Sequence, residues 1–420
     1  MEFILSEIKE KLADEPKIAE VFENCCRNTL ETTVRKMEDG TSFVITGDIP
    51  AMWLRDSAAQ MSPFLLEAGK NSEIRALIEG LVRRQFFYIN IDPYANAFNE
   101  KPDGSCWRED LTKRNDWVWE RKFEVDSLCY PIWLSWRLWK NAGCTGQFDS
   151  NFRAGAKKIL EVFRTEQYHE SRSDYLFRRT DTYPTDTLSR EGKGALVKEG
   201  TGMVWSGFRP SDDACTYGYL VPSNMFAAVS LTYLSEIAEV ILKDMEVCRE
   251  AQKLAEEIRN GIETYGITEK EGFGRIYAYE VDGFGQYNLM DDANVPSLLS
   301  MSYLGYHGDR EVEENTRKFI LSEGNPYYYR GTCAAGIGSP HTPVCYIWHI
   351  ALAMEGLTAS SRERKKEIID LMVKTDAGQG MMHEGFHADD AGKYTREWFS
   401  WANSMFAELV MDYCGYTVER

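Results

Sequence analysis

PSNMFAAVSLTYLSEIAEVIL (222–242) is apolar nearly all round, whereas VCREAQKLAEEIRNGIETY (247–265), just after it, is not. A helix without a polar face has to be buried on every side. In the second segment Leu254, Ile258, Ile262 and Tyr265 recur along one face and leave the other to water. The pair reads as an inner helix followed by an outer one. The same couplet returns at 294–304 with 309–321 and at 342–357 with 361–374.

Towards the N-terminus, 57–69 precedes 72–89, where Ile74, Leu77, Ile78, Leu81 and Val82 keep the helical spacing. The segment 126–141 precedes 149–165, with Phe152, Ala156, Ile159, Leu160 and Phe163 in the same pattern, and Pro131 predicts a late start for that inner helix. The last segment, 396–412, rich in Trp398, Phe399, Trp401, Met405 and Phe406, reads as inner, and a helix near 17–36 supplies its outer partner. The expected architecture is all-α: an (α/α)6 toroid of six inner and six outer helices, with short peripheral strands at Ser42–Ile45 and Arg275–Val281. No linker, charge block or low-complexity stretch divides the chain, so residues 1–420 read as a single domain.

Composition narrows the partners. With 48 Lys and Arg against 66 Asp and Glu, the net charge of −18 repels phosphate backbones and anionic lipid, which argues against nucleic acid or a membrane. A neutral substrate meets no such penalty. The start MEFILSEIKEKLADEP lacks the basic and apolar regions of a signal peptide, and Glu236 and Glu239 interrupt the most apolar segment. The ten cysteines show no CxxC spacing and read as buried thiols. The expected location is the cytoplasm.

Unusual residue clusters fall at 46–56, 107–126, 205–213, 282–294, 331–341 and 376–387. Each lies before an inner helix, and none lies between an inner helix and its outer partner. If the inner helices run parallel, all six loops meet on one rim. The clusters hold carboxylates, Arg, Trp, Tyr and Gly, without a phosphate loop, a nucleophile elbow or a dinucleotide fingerprint. Aromatic rings cover the C–H faces of a pyranose, while Asp and Arg take its hydroxyls in paired hydrogen bonds. Glycosidic cleavage then needs one carboxyl to protonate the leaving oxygen and a second to activate water or attack carbon.

The strings TGDIPAMWLRDSAAQ (46–60), WERKFEVDSLCYP (119–131), WSGFRPSDDA (205–214), PSNMFA (222–227), MDDANVPSLL (290–299), MHEGF (382–386) and REWFSWAN (396–403) strongly resemble glycoside hydrolase family 125, almost end to end. The resemblance implies a metal-independent, cofactor-free, inverting exo-α-1,6-mannosidase acting on mannose-containing oligosaccharides from N-glycans or mannan. It implies Asp212 of RPSDD as general acid and Glu384 of MHE as general base. Pattern alone does not rank Asp212 above Asp213, and without the resemblance both read as caps of the helix that follows. Asp48, Trp53, Arg55 and Asp56 form the densest candidate subsite for a terminal mannose, although Arg55–Asp56 also fits an ion pair at a helix start and Trp53 a core ring. Asp126, Arg209, Asp213, Asp292, His341 and His383 are further candidates for sugar contact. His349, inside an apolar segment, reads as a core histidine, and Tyr327–Tyr329 fit either an entrance or surface packing.

Two other classes compete. HEGFH (383–387) matches the zinc-protease pattern HExxH, which needs His383 and His387 one turn apart on a helix. Gly378, Gly380 and Gly385 argue for a loop instead. A non-catalytic glycan-binding toroid explains the aromatics and Arg but not a paired acid and base.

Overall fold

The computed structural model describes residues 2–419. Its helices are α1 (Glu2–Lys11), α2 (Pro16–Asn28), α3 (Leu54–Met61), α4 (Leu65–Ala68), α5 (Ser72–Ile91), α6 (Val125–Ala142), α7 (Ser150–Glu166), α8 (His169–Arg172), α9 (Val221–Ile237), α10 (Met245–Tyr265), α11 (Arg310–Ile320), α12 (His349–Leu357), α13 (Arg362–Lys374) and α14 (Ser400–Tyr413). The inner helices pack in the order α12, α14, α3, α6 and α9. The apolar helix α9 continues as a π-turn to Leu242. That stretch is long and apolar enough to cross a bilayer, yet it lies buried between α6 and α10. The helix α10 buries Val247, Ala251, Leu254, Ile258 and Ile262 against it and turns its charges outward.

Five inner helices form as expected; the sixth does not. Residues 294–304 are buried turns, held beside α6 by the Tyr130 hydroxyl on the Val295 carbonyl (3.0 Å) and beside α14 by the Tyr303 hydroxyl on Glu408 (2.7 Å). Their polar groups compete with a helix. Asp291 accepts from the Leu298 and Leu299 N–H groups, while Ser297 and Ser300 take each other's backbone N–H. Apolarity correctly marked the segment as buried but could not tell a helix from packed turns.

Other boundaries move for similar local reasons. The helix expected at 17–36 ends at Asn28, becomes a π-turn over Thr29–Thr33, and then a strand, Val34–Lys36, paired with Ser42–Val44. The helix α6 starts at Val125 despite Pro131, because packing on both flanks outweighs one lost backbone bond. The segments begun at 342 and 396 become helical only at His349 and Ser400, since the preceding residues belong to the rim. Of the ten cysteines, Cys25, Cys26, Cys129, Cys215, Cys248 and Cys414 are buried thiols, and the other four are partly exposed.

The two kinds of helix begin differently. Asn71, Asp149, Asp244, Asp309 and Ser361 cap the outer helices α5, α7, α10, α11 and α13 with a side-chain oxygen. The inner helices α3, α6, α9, α12 and α14 have no side-chain cap. Three of them emerge from small rim sheets: Met52–Trp53 with Ala97–Phe98 and Val118–Glu120; Tyr219–Leu220 with Glu280–Val281 and Tyr287–Asn288; and Tyr346–Trp348 with Gly385–His387 and Asp390–Thr395. Their N-terminal ends, with the positive end of each helix dipole, therefore face the rim, where negative charge is favoured. Asp56 and Asp126 sit in two such first turns.

Candidate active site

The six loop clusters join into one rim. Gly207 and Phe208 donate backbone N–H groups to the Phe123 carbonyl, Ala293 to Gly338, Cys333 to Ala388, and Ser400 to Thr46. Gly47 is obligatory in this seam: its φ is +131°, and a Cβ there would stand 2.5 Å from the Trp398 carbonyl oxygen. The part of the second cluster around Trp107 and Leu111 stays apart, exposed at the outer edge against residues 178–182.

Asp212 stands at the tip of a tight turn. The Arg209 N–H bonds the Asp213 carbonyl (2.8 Å), the Asp212 N–H bonds the Arg209 carbonyl (2.9 Å), and Asp212 itself has φ +65°. Few residues other than Gly, Asn and Asp tolerate that left-handed backbone, and such positions gather at functional sites. The alternative of a helix cap fails, because α9 starts only at Val221, after Leu220. The Asp212 carboxylate accepts from the Asn96 amide (3.0 Å) and the Trp53 indole (3.3 Å), with Arg55 at 3.6 Å, while Lys122 holds its backbone carbonyl (2.8 Å). Its side chain remains 28% exposed toward the rim. Burial alone would raise its pKa, but Arg55 and Lys122 outweigh that and hold the carboxyl below the usual range.

Arg55 is the hub. Its guanidinium reaches Glu124 (2.6 Å), Asp126 (3.2 Å), Asp56 (3.4 Å) and Asp212, all but Asp212 buried with it. Burial pushes Asp56 up to about 6 against the pull of Arg55. Trp53 leaves the main core and joins Trp119, Ala51 and Ala97 in a small apolar wall of the rim.

On the other side, Glu384 precedes the strand Gly385–His387 and lies 3.5 Å from Arg396, whose guanidinium clasps Asp48 with both carboxylate oxygens. His341 spans the two sides. Its Nδ1 is 3.3 Å from Asp213, with the charges of Glu384 and Asp212 beyond. Arg209 bonds Glu280 (2.6 Å) beside Asp292, which is buried, holds Asn294 and is raised by that burial. Tyr327 lies half-buried within the fields of Arg209, Asp292 and Asp213. Several buried polar atoms around the rim, Asp213 Oδ2, Asp292 Oδ2 and Trp119 Nε1, have no hydrogen-bond partner among the described residues, and Arg55 Nε and Asp56 Oδ2 have only each other, at 3.4 Å. Hydroxyls of a polar ligand would satisfy them.

Nearly every residue singled out in the sequence thus meets at this rim, with one correction. His383 turns into the core, fully buried, with Nε2 on the Asp376 carbonyl (3.1 Å) and its ring stacked on Tyr394 at 3.9 Å. It is not placed to contact sugar, and HEGFH runs into a strand rather than a helix, so its two histidines lack the one-turn spacing of a zinc motif. His349 is a core histidine as expected, held by His383 and Thr375, with burial pushing its imidazole down to about 3. Sequence reading missed the roles of Asn96, Lys122, Glu124 and Arg396. All four precede an inner helix, so the rule that picked the other clusters would also have found them.

The imidazole of His341 is pushed up to about 9: burial opposes its charge, but Asp213, then Glu384 and Asp212, overcome it. The sign follows. Below the ordinary value of about 6.5 the ring is charged in folded and unfolded chains alike, and the pair contributes fully; that contribution is lost as pH rises through about 9. The His341 side chain is 40% exposed, so the stabilisation is under about 1 kcal/mol. The titration itself is the sharper readout. The proton NMR midpoint of His341 is expected well above the ordinary value and should fall toward it in Asp213→Asn. An ordinary midpoint in the unaltered protein would dissolve the pair.

With this geometry in hand, relatives carry the identification. Residues 15–411 match the family model of metal-independent α-mannosidases, GH125. The Streptococcus pneumoniae α-mannosidase of that kind, solved in a non-productive complex with α-1,6-mannobiose, is 49% identical. The match covers 98% of this chain and 97% of that one, with a TM-score of 0.96. The Meiotically up-regulated gene 157 protein of Schizosaccharomyces pombe is 38% identical over 98% of this chain and 85% of its own length. A solved wild-type glycosidase shares the fold at 13% identity, with a TM-score of 0.57 over 97% of this chain and 98% of its own. The chain belongs to the GH125 family of metal-independent α-mannosidases, and it is a glycoside hydrolase.

Proposed function

We propose that the protein removes a non-reducing terminal α-1,6-linked mannose from oligosaccharides with inversion, with Asp212 as general acid and Glu384 as general base. The observation that carries this reading is Asp212 itself, a strained, partly exposed carboxyl raised into the rim, facing the Glu384 side of the site across His341. Asp212 protonates the departing glycosidic oxygen; Glu384 takes a proton from water on the opposite face of the sugar ring. The unpartnered carboxylate oxygens of Asp213 and Asp292 receive hydroxyls of the terminal mannose, and Trp53 and Trp119 cover a face of it.

Exo action is supported by the filled centre of the ring. Trp133 and Arg137 of α6, Tyr303 of the buried turns and Glu408 of α14 pack together there, with Arg137 4.1 Å from the Trp133 ring. Trp133 lies eight residues into α6 from Val125, about 12 Å below the rim at the usual helical rise. A chain cannot thread through, so the site accepts an end. The linkage is supported by the disaccharide bound to the S. pneumoniae relative.

Incubation with α-1,6-, α-1,3- and α-1,2-mannobiose tests this directly. Free mannose is expected from the α-1,6 isomer, and release from none of the three would refute the assignment. Dialysis against a chelator should leave turnover unchanged, because His383 is committed to Asp376 and Tyr394. Activity lost to the chelator and restored by zinc would point to the metallohydrolase class.

A further inference from the structure

We propose that Glu124 is the proton reservoir of the site: its buried carboxyl shares one proton with Asp212 and relays it through Asp212 to the departing glycosidic oxygen. This rests on Asp212 acting as the acid.

The first ground is a charge count. Among the described residues, Arg55 is the one cation in direct contact with four carboxyl groups, Glu124, Asp126, Asp56 and Asp212. The nearby cations are already matched: Lys122 and Arg179 face Glu120 and Asp186, Arg396 faces Asp48 and Glu384, and the His341 imidazolium faces Asp213. Unmatched buried charge is too costly to keep, so the cluster has to hold protons.

The second ground is where a proton fits. Glu124 is fully enclosed, with Oε2 taking Arg55 (2.6 Å) and the Ser127 hydroxyl (2.8 Å) and Oε1 near the Asn96 amide (3.4 Å). The same Asn96 amide donates to Asp212 (3.0 Å), and Arg55 reaches both carboxyls, so the two stand side by side between one amide and one guanidinium. Asp126, in the first turn of α6, accepts from Arg55 and the Ser223 hydroxyl in the same way, and burial raises it as well. The other titratable groups around Glu124 are Asp56 of α3, which shares Arg55 with it, Glu120 through Asn96, and the buried Cys215 thiol. Burial and the Asp212 charge push Glu124 well above the carboxylate range, whereas Asp212 is held below it.

This arrangement resolves a difficulty. Asp212 at rest is held as a carboxylate, yet a general acid must carry a proton. In the relay, the O–H bond of Asp212 breaks as the leaving oxygen gains both that proton and the electron pair of the glycosidic bond. The O–H bond of Glu124 breaks as Asp212 is protonated, leaving Glu124 ionised opposite Arg55. Glu384 meanwhile takes the proton of the attacking water; its release to solvent and the uptake of one proton by Glu124 close the cycle. Glu124 does not touch the sugar and is a positioning residue.

Glu124→Gln tests the relay, since the amide keeps the shape but cannot lend a proton. The kcat/KM for α-1,6-mannobiose is expected to fall about 10–100-fold, while an aryl mannoside with a good leaving group loses far less. The alkaline limb of the pH profile should move to lower pH, because Asp212 would then titrate beside Arg55 without a charged neighbour, and Glu124→Asp should restore it. Equal losses on both substrates with an unmoved profile would make Glu124 merely structural. Infrared difference spectra of the unaltered protein near neutral pH give a readout independent of activity and of whether Glu124→Gln folds. A protonated-carboxyl band is expected that shifts in Asp212→Asn; no band, or an unmoved one, would overturn the relay. Failure of the protein to cleave any mannobiose would instead strike the hydrolase assignment and leave the infrared result standing.

Discussion

Asp212→Asn is expected to lower kcat on α-1,6-mannobiose by about 10²–10⁴-fold while leaving the fold intact. Asparagine tolerates the left-handed backbone at φ +65° nearly as well as aspartate does, so the turn between Arg209 and Asp213 survives. Its carbonyl oxygen can still accept from Trp53 and Asn96. Removing one negative charge from a cluster with a carboxylate surplus around Arg55 does not destabilise it. What disappears is the group that delivers a proton to the glycosidic oxygen. The loss should therefore depend on the leaving group: a dinitrophenyl mannoside, whose phenolate leaves unaided, should retain most of its rate. The control is Asp213→Asn. Asp213 is 6% exposed and turned to His341, so its removal should alter the His341 titration and sugar binding without leaving-group dependence. If Asp213→Asn shows the leaving-group signature and Asp212→Asn does not, the acid is Asp213.

The sequence pattern was most informative where burial alone decides structure. Helices such as α9 and α10, distinguished by whether they keep a polar face, appear within a residue or two of their expected positions at most ends. It failed at 294–304, where apolarity was as strong but serines and Asp291 take the backbone N–H groups that a helix would use. Periodicity registers side-chain burial and is blind to that competition. The site followed from topology: loops ahead of inner helices share a rim, and Asp48, Trp53, Arg55, Asp56, Asp126, Arg209, Asp212, Asp213, Asp292, His341 and Glu384 do come together there. His383 did not: just ahead of the strand Gly385–His387 its ring turns into the core, onto the Asp376 carbonyl and Tyr394, a direction that no sequence pattern records. The carboxylate-to-cation ratio around Arg55 could not be read from sequence at all, since Glu124, Asp126 and Asp212 are brought to it from distant loops.

Glu384→Gln is the variant expected to do the most damage, and the same position decides the stereochemistry. An amide cannot accept the proton of water, so hydrolysis should fall to background even with an activated aryl mannoside. Sugar binding should persist, because Arg396 stays clasped to Asp48 and the Arg55 cluster is untouched. That insensitivity to the leaving group separates the base from the acid, whose loss an activated substrate conceals. If Glu384 acts on water, a water molecule must fit between it and the anomeric carbon, which requires the two carboxyl groups to stand about 6.5–9.5 Å apart; about 5–5.5 Å would suit a retaining pair. Attack from the face opposite the leaving oxygen makes β-mannose the first product. Proton NMR of the first minutes, before mutarotation scrambles the anomers, should show its signal rise ahead of the α form. A small nucleophile such as azide, if it revives Glu384→Gln, should be captured as the β-glycosyl azide, since it enters by the route of the missing water. Early α-mannose would mean two displacements in place of one. Glu384 would then be a nucleophile that bonds to carbon, and Glu384→Gln would stop the reaction at glycosylation rather than at water activation.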